Sequence, residues 1–276
     1  MSREGSKGVR PRVGLALSGG AARGAAHVGV LKVLLARGVP VDCVAGTSAG
    51  ALVGGAFAAG VPVGELEQFA LRMRWRDFGR VTVSRLGVQS NARMEEYVRA
   101  QFPVTRFEDL RVPFAAVATD LHSGRAVVLK GEGDLAFAIR ASCAVPGWYL
   151  PVVDGEGRRL VDGGLVALVP VAAARSLRPD VIIAVDVNYE GAKFLGPPRT
   201  ALGVLFQSMM VVQRTVSAHE TRAADLAIRP KVGHIRWDEM GRAAELIRAG
   251  EEAALAALPK IEELLAARAE EAAASK

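Results

Sequence analysis

The sequence predicts an α/β fold in which a mostly parallel central sheet lies between two layers of helices. Short apolar runs alternate with helical stretches along the chain, and this alternation is typical of units that build a parallel sheet. Of the 276 residues, 50% are hydrophobic but only 5% are aromatic, and Ala, Val, Leu and Gly are abundant. This composition favours closely packed helices over a sheet that is buried on both faces.

The first predicted strand, over 13–18, runs into a glycine-rich loop and then into a helix over 22–37. The loop reads Ser18-Gly19-Gly20-Ala21-Ala22-Arg23-Gly24. Small residues at a strand-to-helix turn expose backbone N–H groups that bind a phosphate or an oxyanion, and Arg23 adds a positive charge. The loop lacks the Lys-Ser/Thr ending of a P-loop and the spacing of a dinucleotide fingerprint, which disfavours a nucleotide.

The second predicted strand, over 41–46, ends at Gly46-Thr47-Ser48-Ala49-Gly50, and an apolar helix over 48–60 follows. A serine on a strand-to-helix turn is held in a strained, exposed position, and the flanking Gly46 and Gly50 let the turn close. The N-terminus of the helix favours developing negative charge. The sequence therefore predicts Ser48 as a nucleophile, provided that a base activates it.

The remaining elements continue the alternation around a polar, basic stretch over 74–92, which we interpret as a candidate lid or mobile flap. Further strands are predicted over 113–119, 125–130, 180–187 and 224–229. Further helices are predicted over 63–73, 91–102, 133–142, 168–177, 200–219, 240–256 and 258–273. Ligands of such sheets bind beyond the carboxyl ends of the strands, where we expect the glycine-rich loop and Ser48 to meet.

Asp162 is the predicted base. It follows a short strand over 159–161, and the two glycines after it, Gly163 and Gly164, leave its carboxylate uncrowded in a sharp turn. Three rival aspartates also end or follow strands but lack the double glycine: Asp120, Asp154 and Asp186. A Ser-His-Asp hydrolase is an alternative, but none of the four histidines stands in an evident strand-end loop late in the chain: His27, His122, His219 and His234.

Together, the glycine-rich loop, the Gly-x-Ser-x-Gly turn and Asp162-Gly163-Gly164 resemble the patatin-like phospholipase family in its bacterial form, in the same order along the chain. The resemblance covers about residues 12–260 and includes the stretches 139–147 and 165–171. The sequence departs from the family at two places. Ala21 stands where the family has the third glycine of its loop, and 167–169 lack an asparagine that is often found there.

This resemblance implies a three-layer patatin-like fold and a Ser48–Asp162 dyad that cleaves phospholipids, lysophospholipids or related fatty-acyl esters. Asp162 orients or deprotonates Ser48, and the N–H groups of Gly19, Gly20 and Ala21 hold the oxyanion in a loop that also contains Arg23 and Gly24. The resemblance implies no cofactor and no metal ion. An acyltransferase or thioesterase that uses the same serine, and a non-hydrolytic lipid-binding regulatory protein, remain alternatives.

The domain organisation is predicted to be simple. We expect a flexible basic arm over 1–11, a patatin-like domain over 12–265 and a helical or frayed tail over 266–276. The N-terminus lacks the apolar core of a secretory signal, and no apolar run reaches the roughly 18 residues of a membrane span. With Cys43 and Cys143 expected to be buried free thiols, these features favour a cytoplasmic location.

The net charge and two apolar stretches bear on the binding partners of the protein but do not identify them. The net charge of +6 is modest and dispersed, which favours a solvated surface and leaves peripheral contact with the inner membrane surface open. No nucleic-acid-binding motif is present, and the oligomeric state is not predicted. Two stretches, 148–149 and 209–212, fit either an acyl pocket or the core, and 148–149 also fit insertion into a lipid surface. We expect core packing for both.

Overall fold

The computed structural model describes residues 10–82, 84–190 and 197–274. Residues 1–9 of the predicted basic arm lie outside these ranges. The described strands are β1 (Val13–Leu17), β2 (Cys43–Thr47), β3 (Arg80–Val81), β4 (Gly87–Ser90), β5 (Phe114–Asp120), β6 (Ala126–Lys130), β7 (Gly147–Tyr149), β8 (Val152–Val153), β9 (Arg159–Asp162), β10 (Val181–Val185) and β11 (Leu226–Ile228). The described α-helices are α1 (Ala25–Ala36), α2 (Ala49–Ala58), α3 (Val63–Arg72), α4 (Ala92–Gln101), α5 (Leu135–Ser142), α6 (Val171–Arg175), α7 (Ala201–Thr221) and α8 (Ala243–Ala274).

The central sheet has the strand order β11-β10-β1-β2-β5-β9-β8, and β6 also pairs with β5. The strands from β11 to β5 run parallel, whereas β6 and β9 run antiparallel to β5 and β8 runs antiparallel to β9. The mostly parallel sheet predicted from the alternation of elements is therefore confirmed. The parallel strands bring their carboxyl ends to one edge.

Side chains of the parallel strands alternate between two buried cores, one on each face of the sheet. In β1, Val13, Leu15 and Leu17 join the larger core, which α1, α2 and α8 complete. Ala16 faces the other way and joins a smaller core with residues of α6. Burial on both faces explains why β1 has no polar position, as expected for a sheet between two helical layers.

Helices α1 and α8 approach each other through glycines. A Cβ on Gly29 of α1 would lie 1.9 Å from Ile247 O, and a Cβ on Gly250 of α8 would lie 2.0 Å from Ala26 O. No side chain fits at either distance, so the two backbones are in direct contact. This contact fixes the position of the helix that follows the glycine-rich loop.

The predicted strands are present with their ends shifted by one or two residues, but a second sheet was not predicted. Part of the candidate lid forms β3 and β4, and β4 pairs in parallel with β7 to give the order β3-β4-β7. The hydrogen-bond partners of β4 are distant in sequence, so the local pattern contains no signal for them. Val83, within this stretch, lies outside the described residues.

Three predicted helices correspond to two helices with different bounds in the structure. The helix predicted over 168–177 shortens to α6 because it starts only after Pro170, the residue that precedes its first turn. The helices predicted over 240–256 and 258–273 are one helix, α8, which continues through Pro259. Residues on both sides of the proline, Ala254 and Ile261, are buried in the larger core, and this packing outweighs the hydrogen bond that a proline removes.

The C-terminal part of α8 extends past the predicted domain boundary at 265. The helix runs to Ala274, and Arg268 donates to Asp225 Oδ1 at 3.1 Å. Among the described residues, no helix combines the length and the apolar character needed to cross a membrane.

Candidate active site

Ser48 occupies the turn between β2 and α2. Its φ of 53° and ψ of −120° are unfavourable for a residue with a side chain, and such conformations cost about 1–3 kcal/mol. Two hydrogen bonds hold it in place: the Ser48 N–H donates to Ser142 Oγ at 2.9 Å, and Ser142 Oγ donates to Val117 O at 2.6 Å. The strained serine turn expected from the sequence is present.

Gly46 and Gly50 let α2 begin directly against the sheet. A Cβ at Gly46 would lie 2.3 Å from Gly50 O, and a Cβ at Gly50 would lie 2.2 Å from Leu17 O. Any side chain at these positions would therefore push α2 away from β1 and β2. The two glycines predicted for this turn are needed for close backbone approach.

Asp162 ends β9, on the far side of β5 from Ser48. Thr47 is in register with Val117 of β5, and Asp162 is in register with Ala118. Ser48 follows Thr47, so the serine and the aspartate lie at the same level of the sheet, flanking one strand. The topology thus brings together two residues that are far apart in the sequence.

The Asp162 carboxyl group is buried, with only 3% of the residue exposed. Desolvation raises its pKa from 3.8 to about 6, and the interactions with the Ser48 hydroxyl and the Gly164 N–H oppose that rise. The Gly164 N–H donates to Asp162 Oδ1 at 2.8 Å and fixes the carboxylate. A Cβ at Gly163 would lie 2.2 Å from Val117 O, so the turn after Asp162 needs this glycine for close packing against β5.

Cys143 lies beside this pair. Burial raises the pKa of its thiol well above the ordinary value, the nearby Asp162 raises it further, and the interaction with Ser48 lowers it. A thiol with a raised pKa stays protonated at neutral pH and is a poor nucleophile. Cys43 is also a buried free thiol, so the predicted state of both cysteines is confirmed.

The glycine-rich loop lies against Ser48, but its N–H groups are not equivalent. The Gly19 N–H, expected to bind the oxyanion, is already donated to Leu168 O at 3.0 Å. The N–H groups of Gly20 and Ala21 have no acceptor among the described residues. Ala21 adopts a φ of 50°, the left-handed region that glycine prefers. Two N–H groups of the expected three thus remain available.

Arg23 and Gly24 support this loop from behind. Arg23 is 2% exposed, its Nε–H donates to Ile235 O at 2.7 Å, and it does not line the cavity beside Ser48. Desolvation lowers its pKa below the ordinary value. A Cβ on Gly24 would lie 2.4 Å from the Ala49 Cβ, so Gly24 packs the loop onto α2. The charge expected near the oxyanion site therefore acts as a structural anchor.

Ser48 and Asp162 lie in the wall of a solvent-connected cavity of about 140 Å³. Most of the other lining residues are apolar, and they include all three tryptophans of the chain and five of its six methionines: Trp75, Trp148, Trp237, Met73, Met94, Met209, Met210 and Met240. The prediction of core packing for the 148–149 and 209–212 stretches was wrong: Trp148, Tyr149, Met209 and Met210 line this cavity, and Val211 and Val212 are exposed. Local hydrophobicity does not distinguish a cavity wall from a core.

The histidines are not placed to act as the base. All four lie within the described residues, and none lines the cavity. His27 is fully buried with Nε2 2.8 Å from Ser18 O, and burial lowers its pKa to about 4. His234 pairs instead with Glu245 at the surface. The rival aspartates are likewise absent from the lining residues.

Four residues that shape the site were not singled out from the sequence. Ser142 accepts from the Ser48 N–H, and Thr47 Oγ1 donates to Ala167 O at 2.7 Å. Asn188 Nδ2 donates to Gly19 O. The carbonyl oxygen of Trp237 accepts from the Ala22 N–H at 2.9 Å. Ser142 and Thr47 carried a signal, since Ser142 lies in the 139–147 stretch that contributed to the family resemblance and Thr47 lies inside the Gly-x-Ser-x-Gly motif.

The fold and the site define the class of protein: a three-layer α/β protein with a serine on a strained elbow, a buried aspartate beside it and a glycine-rich loop with two open N–H groups. In the part of the chain that the structure describes, no three His, Cys, Asp or Glu residues are grouped to hold a metal ion. The sequence profile of the family described as "Patatin-like phospholipase" matches residues 15–175. The chain belongs to the patatin-like phospholipase family.

Similar proteins agree with this assignment. An uncharacterized NTE family protein of Mycobacterium tuberculosis is 39% identical over 194 residues, which are 69% of this chain and 52% of that protein. Lysophospholipase nte1 of Emericella nidulans is 37% identical over 182 residues, which are 64% of this chain and 12% of that protein. The chain therefore spans about half the length of its mycobacterial relative.

A solved structure supports the fold. The crystal structure of VipD from Legionella pneumophila matches with a TM-score of 0.51 and 12% sequence identity, over 91% of this chain and 67% of that chain. At this identity the likeness concerns the fold alone. The three-layer patatin-like architecture expected from the sequence is confirmed.

Proposed function

We propose that this protein hydrolyses fatty-acyl esters of phospholipids or lysophospholipids, with Ser48 as nucleophile and Asp162 as its base. One observation carries the proposal: the strained serine and the buried aspartate share the wall of a mostly apolar cavity. The name lysophospholipase, carried by the relative from Emericella nidulans, supports the choice of substrate class.

The proton transfer follows from the state of Asp162. With a pKa of about 6, the carboxyl group is mostly ionised at neutral pH and is a better base than an ordinary aspartate. It accepts the Ser48 proton as Oγ attacks the ester carbonyl carbon. The tetrahedral intermediate collapses to an acyl-enzyme, and the proton passes to the departing alcohol oxygen. Water then attacks the acyl carbon while Asp162 again accepts a proton. The bond between that carbon and Ser48 Oγ breaks, Asp162 returns the proton to Oγ, and the fatty acid is released.

The oxyanion is assigned to the N–H groups of Gly20 and Ala21. They belong to the loop that lies against Ser48, since a Cβ on the adjacent Gly19 would lie 3.3 Å from the Ser48 Cβ. Preorganised N–H donors stabilise the charge that develops on the carbonyl oxygen, and losing one such donor costs about 10²–10³ in turnover. Asn188 and Arg23 hold the loop so that these donors keep their direction.

The acyl chain is assigned to the apolar part of the cavity. Methionine side chains adapt to flexible aliphatic ligands, tryptophan side chains supply rigid apolar surface, and each buried methylene contributes about 0.8 kcal/mol. The apolar lining therefore favours a long chain over an acetyl group. The polar lining residues cluster near Ser48, where the ester lies.

Hydrolysis of p-nitrophenyl butyrate and of lysophosphatidylcholine by wild type, Ser48→Ala and Asp162→Asn tests the proposal. We expect both variants to lose activity by about 10³-fold or more while keeping the wild-type circular dichroism spectrum. Ser123→Ala and Asp154→Asn are matched controls outside the cavity and should keep full activity.

Full activity of folded Ser48→Ala would overturn the assignment of the nucleophile. Loss of activity in His219→Ala or His234→Ala, with Asp162→Asn active, would favour a Ser-His-Asp mechanism. Transfer of the acyl group to an added alcohol or thiol, in place of release of the fatty acid, would instead indicate an acyltransferase.

A further inference from the structure

Helix α7 presents apolar side chains on two opposite faces. One face lines the cavity with Phe206, Met209, Met210 and Gln213. The other face exposes aliphatic side chains to solvent by 49–67%: Val204, Leu205, Val211 and Val212. Contiguous exposed aliphatic side chains often mark an interaction surface. The outer face of α7 is thus left uncovered by the described residues.

A second exposed apolar patch lies on the β3–β4 hairpin. Val81 is 76% exposed, Leu86 60% and Val88 41%. Strand β4 pairs with β7, which carries Trp148 into the cavity wall. The hairpin is therefore attached directly to one side of the cavity.

Trp237 joins these two elements at the cavity. Its ring centroid lies 4.7 Å from that of Phe206 on α7 and 6.4 Å from that of Trp148 on β7. Helix α7 and the hairpin sheet therefore flank the same cavity. We call the outer face of α7 and the exposed hairpin side chains, taken together, the mouth surface.

Arginines surround the hairpin part of the mouth surface. Residues 72–93 contain six arginines and a single acidic residue, Asp77. All six are exposed, and none forms an ion pair with a described residue: Arg72, Arg74, Arg76, Arg80, Arg85 and Arg93. The Asp77 carboxylate accepts instead from the Arg74 backbone N–H. The charge that seemed dispersed along the sequence is concentrated here.

We propose that the mouth surface docks on an anionic lipid surface. The exposed aliphatic side chains enter the boundary between headgroups and acyl chains, and the arginines contact the anionic headgroups. A lipid surface offers an apolar layer and negative charge together. A second copy of the chain would set the same arginines against each other. The choice of a lipid rests on the proposed function, because an acyl chain then enters the cavity without crossing water.

Co-sedimentation with vesicles tests this docking surface. The full chain is incubated with vesicles of phosphatidylcholine alone or mixed with phosphatidylglycerol. We expect tighter binding to the anionic vesicles, weakened by salt. The double variant Leu205→Ser/Val212→Ser should bind both kinds of vesicle about tenfold more weakly. Arg80→Gln/Arg85→Gln should lose about tenfold on anionic vesicles only and reduce the salt dependence.

Two kinds of control are needed: the same substitutions elsewhere on the surface, and an assay of activity on a monomeric ester. Leu255→Ser, on the exposed side of α8, and Arg125→Gln remove the same groups elsewhere and should bind as wild type does. All of these variants should hydrolyse monomeric p-nitrophenyl butyrate at the wild-type rate. If wild type hydrolyses no ester but shows the expected vesicle binding, the proposed function fails and the docking surface stands.

Two results would overturn the docking surface. One is equal vesicle binding by wild type, the mouth-surface variants and the controls. The other is a dimer in light scattering that Leu205→Ser/Val212→Ser dissociates, with no vesicle binding by wild type. That result would assign the outer face of α7 to a second copy of the chain.

Discussion

At the scale of single residues, the site depends on a carboxyl group whose surroundings disfavour its charge. Buried Asp162 has a pKa of about 6, and the Ser48 hydroxyl and the Gly164 N–H compensate in part for its lost hydration. A residue that makes a good base in this position therefore destabilises the folded protein when it is ionised. The pH dependence of activity and of stability should both report this conflict.

Asp162→Asn should increase the stability of the protein at alkaline pH. Because the pKa is raised from 3.8 to about 6, the native state binds more protons than the unfolded state between these values. The Asp162 contribution to the free energy of unfolding therefore falls as the pH rises through this window. We expect the variant to be more stable by up to about 3 kcal/mol near pH 8 and by much less near pH 4, measured by urea unfolding.

The comparison with wild type at each pH isolates Asp162 from two other groups. The pKa of Glu220 is raised to about 7 and that of His27 is lowered to about 4, both by burial.

The activity of wild type and of Glu220→Gln should rise tenfold per pH unit below about 6 and level off above it. A midpoint that moves with the Glu220 substitution would contradict the assignment of the base.

Gly20→Ala should lower turnover by about 10²-fold with a small change in KM. A Cβ at this position would lie 2.5 Å from Val187 Cγ2, so the loop must shift and misdirect its open N–H groups. Ala21→Gly is the matched control, since glycine adopts the φ of 50° without strain. Steady-state kinetics with p-nitrophenyl butyrate would count against the oxyanion assignment if both variants behaved alike.

The residues that were predictable from the sequence are those that need a special backbone. Ser48 and its flanking glycines stand out because a strained turn tolerates few residue types. Ser142 and Asn188 act through ordinary side-chain hydrogen bonds to backbone groups of Ser48 and Gly19. Such partners leave no local pattern, because the fold alone decides which side chain reaches a given N–H or carbonyl oxygen.

At the scale of elements, close backbone contacts decide what the helices tolerate. Gly250 of α8 meets the Ala26 carbonyl oxygen of α1, and neither backbone atom can rotate away from an added methyl group. The sequence predicted α1 and the helical segment that contains Gly250, but not their crossing, because a glycine inside a helix is locally unfavourable and has no visible partner. The pairing of β4 with β7 was not predicted for the same reason: the partner strand is distant in sequence and leaves no local pattern.

Gly250→Ala should destabilise the protein by about 2–4 kcal/mol, because its Cβ would lie 2.0 Å from Ala26 O and force α1 and α8 apart. Gly64→Ala is the matched control: Gly64 is also helical, but its Cβ would have no neighbour within 4 Å. That substitution should stabilise the protein by about 0.5–1 kcal/mol. Equal free energies of unfolding for the two variants in urea would contradict the close crossing.

At the scale of the whole molecule, α7 lies between two apolar environments, the cavity on one side and the outer surface on the other. Its inner face meets the proposed acyl chain and its outer face meets the proposed lipid surface. The family and the three-layer fold were predictable because three motifs occur in order along the chain. The cavity was not, since its wall uses the same residue types as the core and is assembled from elements across the chain.

Chain-length dependence of ester hydrolysis tests the inner face of α7. From p-nitrophenyl acetate to the octanoate, we expect kcat/KM to rise by up to about fourfold per methylene. Met209→Ser, which makes the cavity wall polar, should flatten this rise, whereas Leu205→Ser on the outer face should preserve it. A flat profile in wild type would place the acyl chain outside the cavity.

The order of the central strands also constrains how the protein is made. Strand β1 pairs with β2, which follows soon after it, and with β10, in which Val181 is the partner of Val13. At about 5–20 residues per second, a nascent chain holds β1 with one open edge for roughly ten to thirty seconds. During that time the nascent chain exposes one unpaired edge of a wholly apolar strand. Such edges invite aggregation, so slow synthesis between β2 and β10 should make this protein depend on chaperones.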